Sequence, residues 1–319
     1  MGTEITPEPL EHPTNYLYAI ELAAAEAVLK LLARNPKTFN QKILYKAAYD
    51  RRPILTTFAD KLKIRDYVSE TVGEKYLTKL YASGNCPAEI NFDELPKDYV
   101  FKVNHGSGGL ILVSSTTDSE QILPKAPKRV SWGTYEVNTN NLNQQRLIEL
   151  GNKWLSQDYY YYSGCLRIPE WAYKNIERKY LIEELLVGQD LKPALDLKFH
   201  MFNGKCVFVN AIKRDLGTGL KNRSVAKSAI FSPEWKRMPI RLNNLVPLEI
   251  SLGKPEAFAE MIKVAETLAG GIDYVRVDLY NPEPDRIIVG ELTNYPMGGR
   301  QKFEPKNWDH KLGERLQMD

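Results

Sequence analysis

The sequence predicts an α+β protein in which antiparallel sheets are flanked by helices. Three observations lead to this fold class. Helical patterns fill the chain up to about residue 85, strand-like runs joined by glycine turns dominate from residue 98 onward, and Asn203-Gly204 joins two such runs as a hairpin turn. A chain of 319 residues also has room for more than one domain, since domains commonly contain about 100–200 residues.

Three helical patterns come first. Asn15 is the expected N-cap of "YLYAIELAAAEAVLKLLARNP", which Pro36 ends. The second pattern, "TFNQKILYKAAYD", stops at Arg51-Arg52-Pro53. The third begins at Asp60, in "DKLKIRDYVSETVGEKYLTKLYASG", and we expect it to remain helical as far as the turn Ser83-Gly84-Asn85.

The strand-like segments follow. "YVFKVNHGSGGLILVSS" predicts a hairpin with a glycine-rich tip, and "LDLKFHMFNGKCVFVNAIKRD" predicts a second hairpin. "RKYLIEELLVG" is a strand that ends in two acids, and "YVRVDLYNPEPDRIIVGELT" is a third strand pair. Residues 141–156 and 255–270 have helical patterns and separate these strands.

The composition excludes several classes of protein. The 43 basic and 40 acidic residues nearly cancel to a net charge of +3, so no overall field recruits nucleic acid or an anionic membrane. Three cysteines at wide spacings fit neither a disulfide framework nor a zinc site. The N-terminus has no pattern of an export signal and the chain has no membrane-spanning run, so we expect a cytoplasmic protein.

Acidic and amide side chains occur together near the C-terminal end. Asp278 and Glu291 are placed on the two strands of the last predicted pair, and Asn294 follows. If these oxygen ligands converge, they suit Mg²⁺, which prefers one or two carboxylates together with nucleotide phosphates. The alternative is that the two acids only cap strand ends and pair with Arg276 or Arg286.

A lysine and a glycine-rich turn form a second candidate site. Lys102 lies on the strand before "NHGSGG", where backbone N–H groups and one ammonium could approach phosphates. The spacing fits neither a Walker A loop nor a Rossmann turn. The alternative is that this segment is an ordinary glycine-rich hairpin in which His105 is a turn residue.

Two further segments carry charge. "YLIEELLVGQD" ends in Glu183-Glu184 and reaches Asp190, where backbone groups could bind adenine and Asp190 a ribose; an exposed acidic turn is the alternative. Five cations between residues 213 and 227 suit transfer of a phosphoryl group, although a solvated basic loop is the simpler interpretation. These cations are Lys213, Arg214, Lys221, Arg223 and Lys227.

The order of these motifs resembles the ATP-grasp superfamily. "VRVDLY" and "GELTNYPMGG" are similar to the endings of D-alanine–D-alanine ligases, and the closer resemblance is to the TupA-like (teichuronopeptide biosynthesis) ATP-grasp family. That resemblance covers about residues 40–319 and rests on "DKLKIRDYV", "FKVNHGSGG", "LDLKFHMFNGK", "DYVRVDLY", "GELTNYPMGG" and "FEPKNWDHKLGERL".

The resemblance implies an ATP-grasp fold, two antiparallel-sheet subdomains that hold ATP, with an N-terminal helical region. It implies a helical extension at 1–50, an N-terminal subdomain at 51–97, a glycine-rich-loop subdomain at 98–182 and a catalytic subdomain at 183–319. The implied ATP-binding residues are Lys102, His105, Gly106, Ser107, Gly108, Gly109, Glu183, Glu184, Leu186 and Asp190. The implied catalytic residues are Arg276, Arg214 and Lys198. The implied ligands of two Mg²⁺ ions are Asp278, Glu291 and Asn294 or, because of its spacing, Thr293.

The implied activity is ATP-dependent formation of an amide from a carboxylate and an amine through an acyl phosphate. By the same resemblance the substrates are small molecules or glycans of a bacterial capsule or other surface polysaccharide. Two alternatives remain open, an ATP-grasp kinase that phosphorylates a hydroxyl and a non-catalytic module that binds nucleotide or glycan. The first predicted helix is either a core helix or the contact of a homodimer.

Overall fold

The computed structural model of the chain describes residues 16–125, 132–162, 169–187, 194–214, 226–242, 246–247 and 252–318, without the side chains of residues 16–19, 161–162, 214 and 226. The helices are α1 Tyr16–Leu32, α2 Phe39–Tyr49, α3 Ile54–Ala59, α4 Lys63–Thr71, α5 Gln144–Ser156, α6 Tyr159–Tyr162, α7 Phe258–Ala269 and α8 Trp308–Arg315. The strands are β1 Leu80–Gly84, β2 Tyr99–Val103, β3 Leu110–Ser114, β4 Thr134–Asn138, β5 Tyr180–Glu184, β6 Asp196–Phe202, β7 Lys205–Arg214, β8 Ala226–Phe231, β9 Arg241–Leu242, β10 Val246–Pro247, β11 Tyr274–Glu283, β12 Arg286–Thr293 and β13 Phe303–Glu304.

Two sheets carry the architecture. The first sheet has the strand order β1-β5-β2-β3-β4 and is antiparallel except between β3 and β4. The second sheet has the order β10-β8-β7-β6-β11-β12 and is antiparallel except between β10 and β8. Strands β13 and β9 form a small additional sheet. The predicted α+β class with mainly antiparallel sheets is confirmed.

Local sequence signals account for the hairpins. Asn203 and Gly204 have φ of 49° and 77°, the positive values that a tight two-residue turn between β6 and β7 requires. Strands β2 and β3 pair as predicted on either side of the glycine-rich turn. Thr38 begins α2 with a capping box, in which its side chain accepts from Gln41 N and the Gln41 side chain accepts from the backbone N–H of Thr38.

The third predicted helix is wrong beyond its first turns. Helix α4 ends at Thr71, and a short 3-10 helix then leads into β1, where the sequence pattern predicts more helix. Gly73 has φ of 114°, outside the range of a right-handed helix, so the chain turns there. Strand β1 is stabilised by its pairing with β5, for example Ala82 opposite Ile182, which is a contact between distant parts of the sequence.

The two sheets bury one face each against a helix. Along β2, Phe101 and Val103 belong to the core that includes α5, and along β11, Val275, Val277 and Leu279 belong to the core that includes α7. Because side chains alternate along a strand, the residues between them point to the other face. Those faces, which carry Lys102, Asp278 and their neighbours, are free to form a site.

The predicted subdomain boundary at residue 182 falls inside β5, which belongs to the first sheet. Strand β1, from the predicted N-terminal subdomain, lies at the edge of the same sheet. We therefore propose to place the start of the catalytic subdomain after Glu184, where β5 ends.

Helix α1 packs on α2, but only a few of its apolar side chains are buried in this contact. Leu29 and the following Ala33 are buried, whereas Ile20, Val28 and Leu31 are exposed. No helix in the described ranges has the length and the apolar character needed to cross a bilayer. The homodimer that the sequence leaves open stays a prediction.

Candidate active site

A cleft lies between the two sheets, with a volume of about 230 Å³. Strands β2, β3 and β5 form one wall, strands β6, β11 and β12 form the other, and α4 closes one side. Its charged and polar lining residues include Lys61, Arg65, Thr78, Lys102, Glu183, Glu184, Asp196 and Tyr280. Leu110, Leu112, Leu181, Leu186 and Ile288 supply apolar walls. A cleft with apolar walls and a few convergent charges is typical of a ligand site.

The acids predicted to bind magnesium face each other beside Gly290, which lines this cleft. Asp278 lies directly opposite Glu291 on β12 and directly opposite Lys198 on β6, so one row across three strands carries two carboxylates and an ammonium. Side chains opposite each other in antiparallel strands are close neighbours. Asp278 lies inside β11 and not at its end. The pairing register of β11 with β12, and not the end of a strand, therefore brings Asp278 and Glu291 together.

Arg276 joins this row from the next position on the same face. Its Nε and Nη2 donate to the two oxygens of Asp278, each at 2.6 Å, and Nη2 also donates to Glu291 Oε1 at 2.6 Å. Lys198 pairs with Asp278 and lies 3.0 Å from Asp196 Oδ2. The cluster therefore holds alternating charges that are largely removed from solvent.

A β-bulge stands beside Glu291. Asp278 pairs with Glu291 and the next residue, Leu279, pairs with Val289, which leaves Gly290 without an opposite residue. A β-carbon at Gly290 would lie 2.5 Å from the ring of Tyr280, so a larger residue would force that ring to move. The bulge and its glycine thus set the direction in which Glu291 points into the site.

The prediction of Asn294 or Thr293 as a metal ligand stays a prediction. Asn294 is buried, its amide nitrogen donates to Leu55 O at 2.8 Å, and its Oδ1 has no hydrogen-bond partner among the described residues. The Thr293 hydroxyl, by contrast, lies 3.0 Å from Glu291 Oε1 and 3.0 Å from Arg276 Nη2. Residues two apart on a strand share a face, so Thr293 and not Asn294 is on the face of Glu291.

The donor set fits a divalent cation that also binds phosphates. In the described residues, no group of three or more His, Cys, Asp or Glu side chains could hold a metal ion alone. Burial raises the pKa of Asp278 to about 6, although Arg276 and Lys198 oppose this change. Burial alone would raise the pKa of Glu291, but Arg276 and Lys198 hold it well below its usual range. Two carboxylates and a hydroxyl are the hard oxygen donors that Mg²⁺ takes beside a nucleotide.

Lys102 projects into the cleft and forms an ion pair with Glu183. Glu183 is buried, and its other oxygen accepts from Thr78 Oγ1 at 2.9 Å and from Arg65 Nη1 at 3.4 Å. Burial alone would raise the pKa of Glu183, but Lys102 and the other donors hold it below its usual value. Glu183 is therefore a carboxylate held among cations, and its predicted place at the adenine-binding hinge stays a prediction.

The segment that follows β5, and leads from the first sheet to the second, also lines the cleft. Glu184 binds Arg286 through both carboxylate oxygens at 2.8 and 2.7 Å, and Leu186 forms part of the wall. The predicted binding of adenine by Glu184 and Leu186 stays a prediction. Asp190, the predicted ribose ligand, lies outside the described residues.

The glycine-rich turn is shaped by close packing. A β-carbon at Gly106 would lie 2.5 Å from the ring of Trp132, and Gly108 and Gly109 have φ of 86° and 66°. Ser107 is exposed at the tip. The His105 ring is buried, bonds to Gln157 O at 3.2 Å and meets Trp132 edge-on, so its side chain is outside the cleft. The prediction of His105 as an ATP ligand can apply only to its backbone.

Lys61 is a site residue that the sequence reasoning missed. It lines the cleft, and its ammonium donates to the carbonyl of Gly106 in the glycine-rich turn. Glu291, Lys102 and Glu183 all act on its charge, which places it between the acid pair and the wall that carries Lys102. The motif "DKLKIRDYV" could have revealed it, because Lys61 and Arg65 are one helical turn apart.

Asp60 explains why this lysine is held in place. Its carboxylate accepts from Leu62 N at 2.9 Å at the start of α4 and from Asn104 Nδ2 at 2.9 Å. Asn104 immediately precedes the glycine-rich segment, so one buried carboxylate connects α4 to that turn. Of the remaining predicted residues, Arg214 ends β7 but its side chain is outside the described part, as is the basic loop after it.

Comparison with known proteins identifies the family of the chain. Residues 41–317 match the profile of the TupA-like ATP-grasp family. Among curated proteins, no sequence matches the chain.

Among solved structures, VanG D-Ala:D-Ser ligase from Enterococcus faecalis is similar at 13% identity and a TM-score of 0.43, over 82% of this chain and 62% of that one. D-alanine–D-alanine ligase from Bacillus anthracis is similar at 14% identity and a TM-score of 0.40, over 77% of this chain and 59% of that one. ATP-grasp ligase PsnB with a minimal precursor matches at 12% identity and a TM-score of 0.36, over 76% of this chain and 54% of that one. The chain thus spans less than two thirds of the length of these ligases. With its family profile matched over most of its length, the chain belongs to the TupA-like ATP-grasp family.

Proposed function

We propose that the protein is an ATP-dependent ligase that joins a carboxylate to an amine through an acyl phosphate. The observation that carries the proposal is that Lys61, Arg65 and Lys102 line the cleft and that the paired Asp278 and Glu291 lie next to its lining residue Gly290. Cations on one side suit the phosphates of a nucleotide, and an acid pair suits its divalent ion. Membership of the ATP-grasp family supports this interpretation.

In this proposal each side chain binds or neutralises charge. Lys102, Lys61 and the turn from Gly106 to Gly109 hold the phosphates. Asp278, Glu291 and Thr293 hold Mg²⁺, which neutralises phosphate charge when it is bound. Arg276, released from the two carboxylates, stabilises charge that develops on the acyl phosphate and on the tetrahedral intermediate.

Lys198, together with Arg214, faces the transferred phosphoryl group. The number of magnesium ions is proposed as two by resemblance to the ligases. No nucleophilic side chain is needed, because positioning and charge neutralisation in a cleft account for the catalysis.

The proposed substrates follow from the family resemblance. A sugar acid or an amino acid supplies the carboxylate, and an amine attacks the acyl phosphate to give an amide, phosphate and ADP. The product belongs to a bacterial surface polysaccharide such as a capsule, made in the cytoplasm before export. The acceptor is a small molecule or a glycan.

The test uses the full chain with ATP, Mg²⁺ and a panel of uronic acids and amino acids, each with and without an amine partner. Ligation predicts ADP and phosphate release that needs both partners, and a hydroxamate when hydroxylamine replaces the amine. A phosphorylated product that forms without amine and resists hydroxylamine supports the kinase alternative instead. Binding of ATP with no ADP release under any condition supports a non-catalytic module.

Nucleotide affinity is expected to fall above pH 8 because Lys61 then loses its proton. Burial lowers the pKa of Lys61 to about 8, with Glu291 opposing and Lys102 reinforcing the change. Below that pH the ammonium is charged and attracts phosphate, and above it the attraction is lost by up to about tenfold per pH unit. Calorimetry with Mg·AMP-PNP between about pH 7 and about pH 9.5 measures the effect.

Lys61→Arg provides the matched control, since an arginine keeps its charge throughout this range. Its affinity for Mg·AMP-PNP should stay constant while that of the wild type declines. Identical pH profiles for the two proteins would contradict the role of Lys61.

A further inference from the structure

His200 is a buried histidine beside the charged cluster, and the proposed function so far leaves it without a role. Phe199 and Met201 on β6 belong to the core that includes α7, so His200 between them points to the opposite face of the sheet. Lys198 is on this same face, and His200 lies directly opposite Arg276 on β11. Because opposite side chains of antiparallel strands are close neighbours, the imidazole lies beside the Arg276 guanidinium.

The ring of His200 is held in one orientation. It stacks on Phe208, with ring centroids 4.0 Å apart and planes 18° from parallel. Its Nδ1 lies 2.9 Å from the hydroxyl oxygen of Tyr274. Phe208 and Tyr274 are both fully buried, and Tyr274 also meets Phe39 of α2 edge-on. The imidazole therefore lies where the core under α2 meets the charged cluster.

The hydrogen bond with Tyr274 decides which ring nitrogen carries the proton. Among the described residues, the buried Tyr274 hydroxyl has His200 Nδ1 as its only hydrogen-bond partner. A buried hydroxyl donates where an acceptor is available, so Nδ1 accepts and the proton of a neutral ring is on Nε2. Burial, together with the positive charges of Arg276 and Lys198, lowers the pKa of His200 well below its usual value. The ring is therefore neutral and Nε2 is a donor.

The Nε2–H group of His200 is available to a ligand. Nε2 has no hydrogen-bond partner among the described residues, yet it is not one of the fully enclosed side-chain atoms that lack a partner there, so it reaches solvent. His105 differs, because its Nε2 bonds to Gln157 O and its Nδ1 is enclosed without a partner. Tyr274 covers Nδ1 of His200 and Phe208 covers one ring face, so the solvent that Nε2 reaches is on the side of the charged cluster.

We propose that His200 is a further catalytic residue, whose Nε2–H donates a hydrogen bond to the acyl oxygen of the carboxylate substrate. This inference rests on the proposed function. In that reaction the amine nitrogen forms a bond to the acyl carbon and the C=O electron pair moves onto the oxygen. The pair returns as the C–O bond to phosphate breaks, phosphate leaves with the bonding electrons, and the nitrogen releases a proton to solvent. A neutral donor that is already in position stabilises this oxyanion without rearrangement.

The experiment compares His200→Met, which removes the donor, with His200→Gln, which can place an N–H group near the position of Nε2. The probes are hydroxylamine and the acid of the ligation panel that gives the most hydroxamate. His200→Met should lower kcat by about 10²-fold, and His200→Gln should recover about tenfold of this loss. The KM for the acid and the affinity for Mg·AMP-PNP should stay within about threefold of the wild type, since the donor acts in the transition state.

Two measurements separate a catalytic role from a structural one. After rapid mixing with ATP, His200→Met should release its first ADP nearly as fast as the wild type, because the acyl phosphate forms before the oxyanion does, and only hydroxamate formation should be slow. Nitrogen NMR of the full chain, with His200→Gln to identify the signals, should show a proton on Nε2 and none on Nδ1. Tyr274→Phe should weaken this preference.

Two further variants serve as controls. His310→Gln is the matched control, because His310 is exposed on α8, and it should keep the kcat of the wild type. If His200→Met is unstable because the Tyr274 hydroxyl loses its acceptor, the same assays compare the double variant His200→Met, Tyr274→Phe with Tyr274→Phe alone, and the same loss of kcat is expected.

Several outcomes would overturn the inference. Either removal of the imidazole leaves kcat unchanged, or His200→Gln is no faster than His200→Met, or ADP release and hydroxamate formation slow together, or Nδ1 carries the proton. If the wild type forms no hydroxamate with any acid, the proposed function fails together with the inference. Hydroxamate formation by the wild type, combined with any of the other results, overturns the inference alone.

Discussion

Replacing Glu291 by Gln is expected to lower ATP-dependent turnover by about 10²–10³-fold while the protein stays folded. The amide keeps the shape of the side chain but loses the charge that, with Asp278, is proposed to hold Mg²⁺. Some stability should also be lost, because the amide gives up the attraction to Arg276 and Lys198 that holds the pKa of Glu291 below its usual range, although Arg276 keeps its two bonds to Asp278. Steady-state ADP release and thermal unfolding measure the two effects.

Glu283→Gln is the matched control for this variant. Glu283 lies in the same strand pair as Glu291, but at its exposed far end, opposite Arg286. It should retain wild-type turnover and wild-type stability. Turnover within twofold of the wild type in Glu291→Gln would refute the assignment of Glu291 to the metal site.

Replacing Asp278 by Asn is expected to abolish turnover and to lower the free energy of unfolding. The loss should be smaller than the about 3–5 kcal/mol typical of a broken buried ion pair, because burial already disfavours the charged form of Asp278. The Asp278 side chain is 1% exposed and accepts from Arg276 and Lys198. Without its charge, Arg276 keeps only Glu291 and Lys198 keeps only Asp196 as a charged partner. Urea unfolding, followed by circular dichroism without nucleotide, measures the loss.

A second substitution tests the physical reason for this loss. Lys198→Met in the Asp278→Asn background removes one of the two cations left without their partner, so part of the lost stability should return. If Asp278→Asn is as stable as the wild type, then Asp278 is not the carboxylate that neutralises the cluster.

Local signals in the sequence predicted the hairpins and several helices, because a turn or a cap is decided by neighbouring residues. Asn203-Gly204 specifies its turn wherever it lies in the fold. Strand β1 could not be predicted in the same way, since its residues have a helical pattern and adopt a strand through pairing with β5, about one hundred residues further along the chain.

The sequence indicates which charged residues belong to the candidate site, but it indicates less well which of their side chains point into it. Lys102, Asp278 and Glu291 could be proposed from the sequence because each is a charged residue within an apolar strand pattern. The choice between Thr293 and Asn294 depended on strand alternation next to the bulge at Gly290, which motif spacing does not reveal.

The ion pair between Glu183 and Lys102 makes the cleft a selective receptor for highly charged ligands. Any anion that binds Lys102 must compete with a carboxylate that is already in place. A monoanion offers no advantage over this internal competitor, whereas a triphosphate with its magnesium ion engages several cations at once. The pair thus weakens the binding of every anion and weakens that of abundant small anions most.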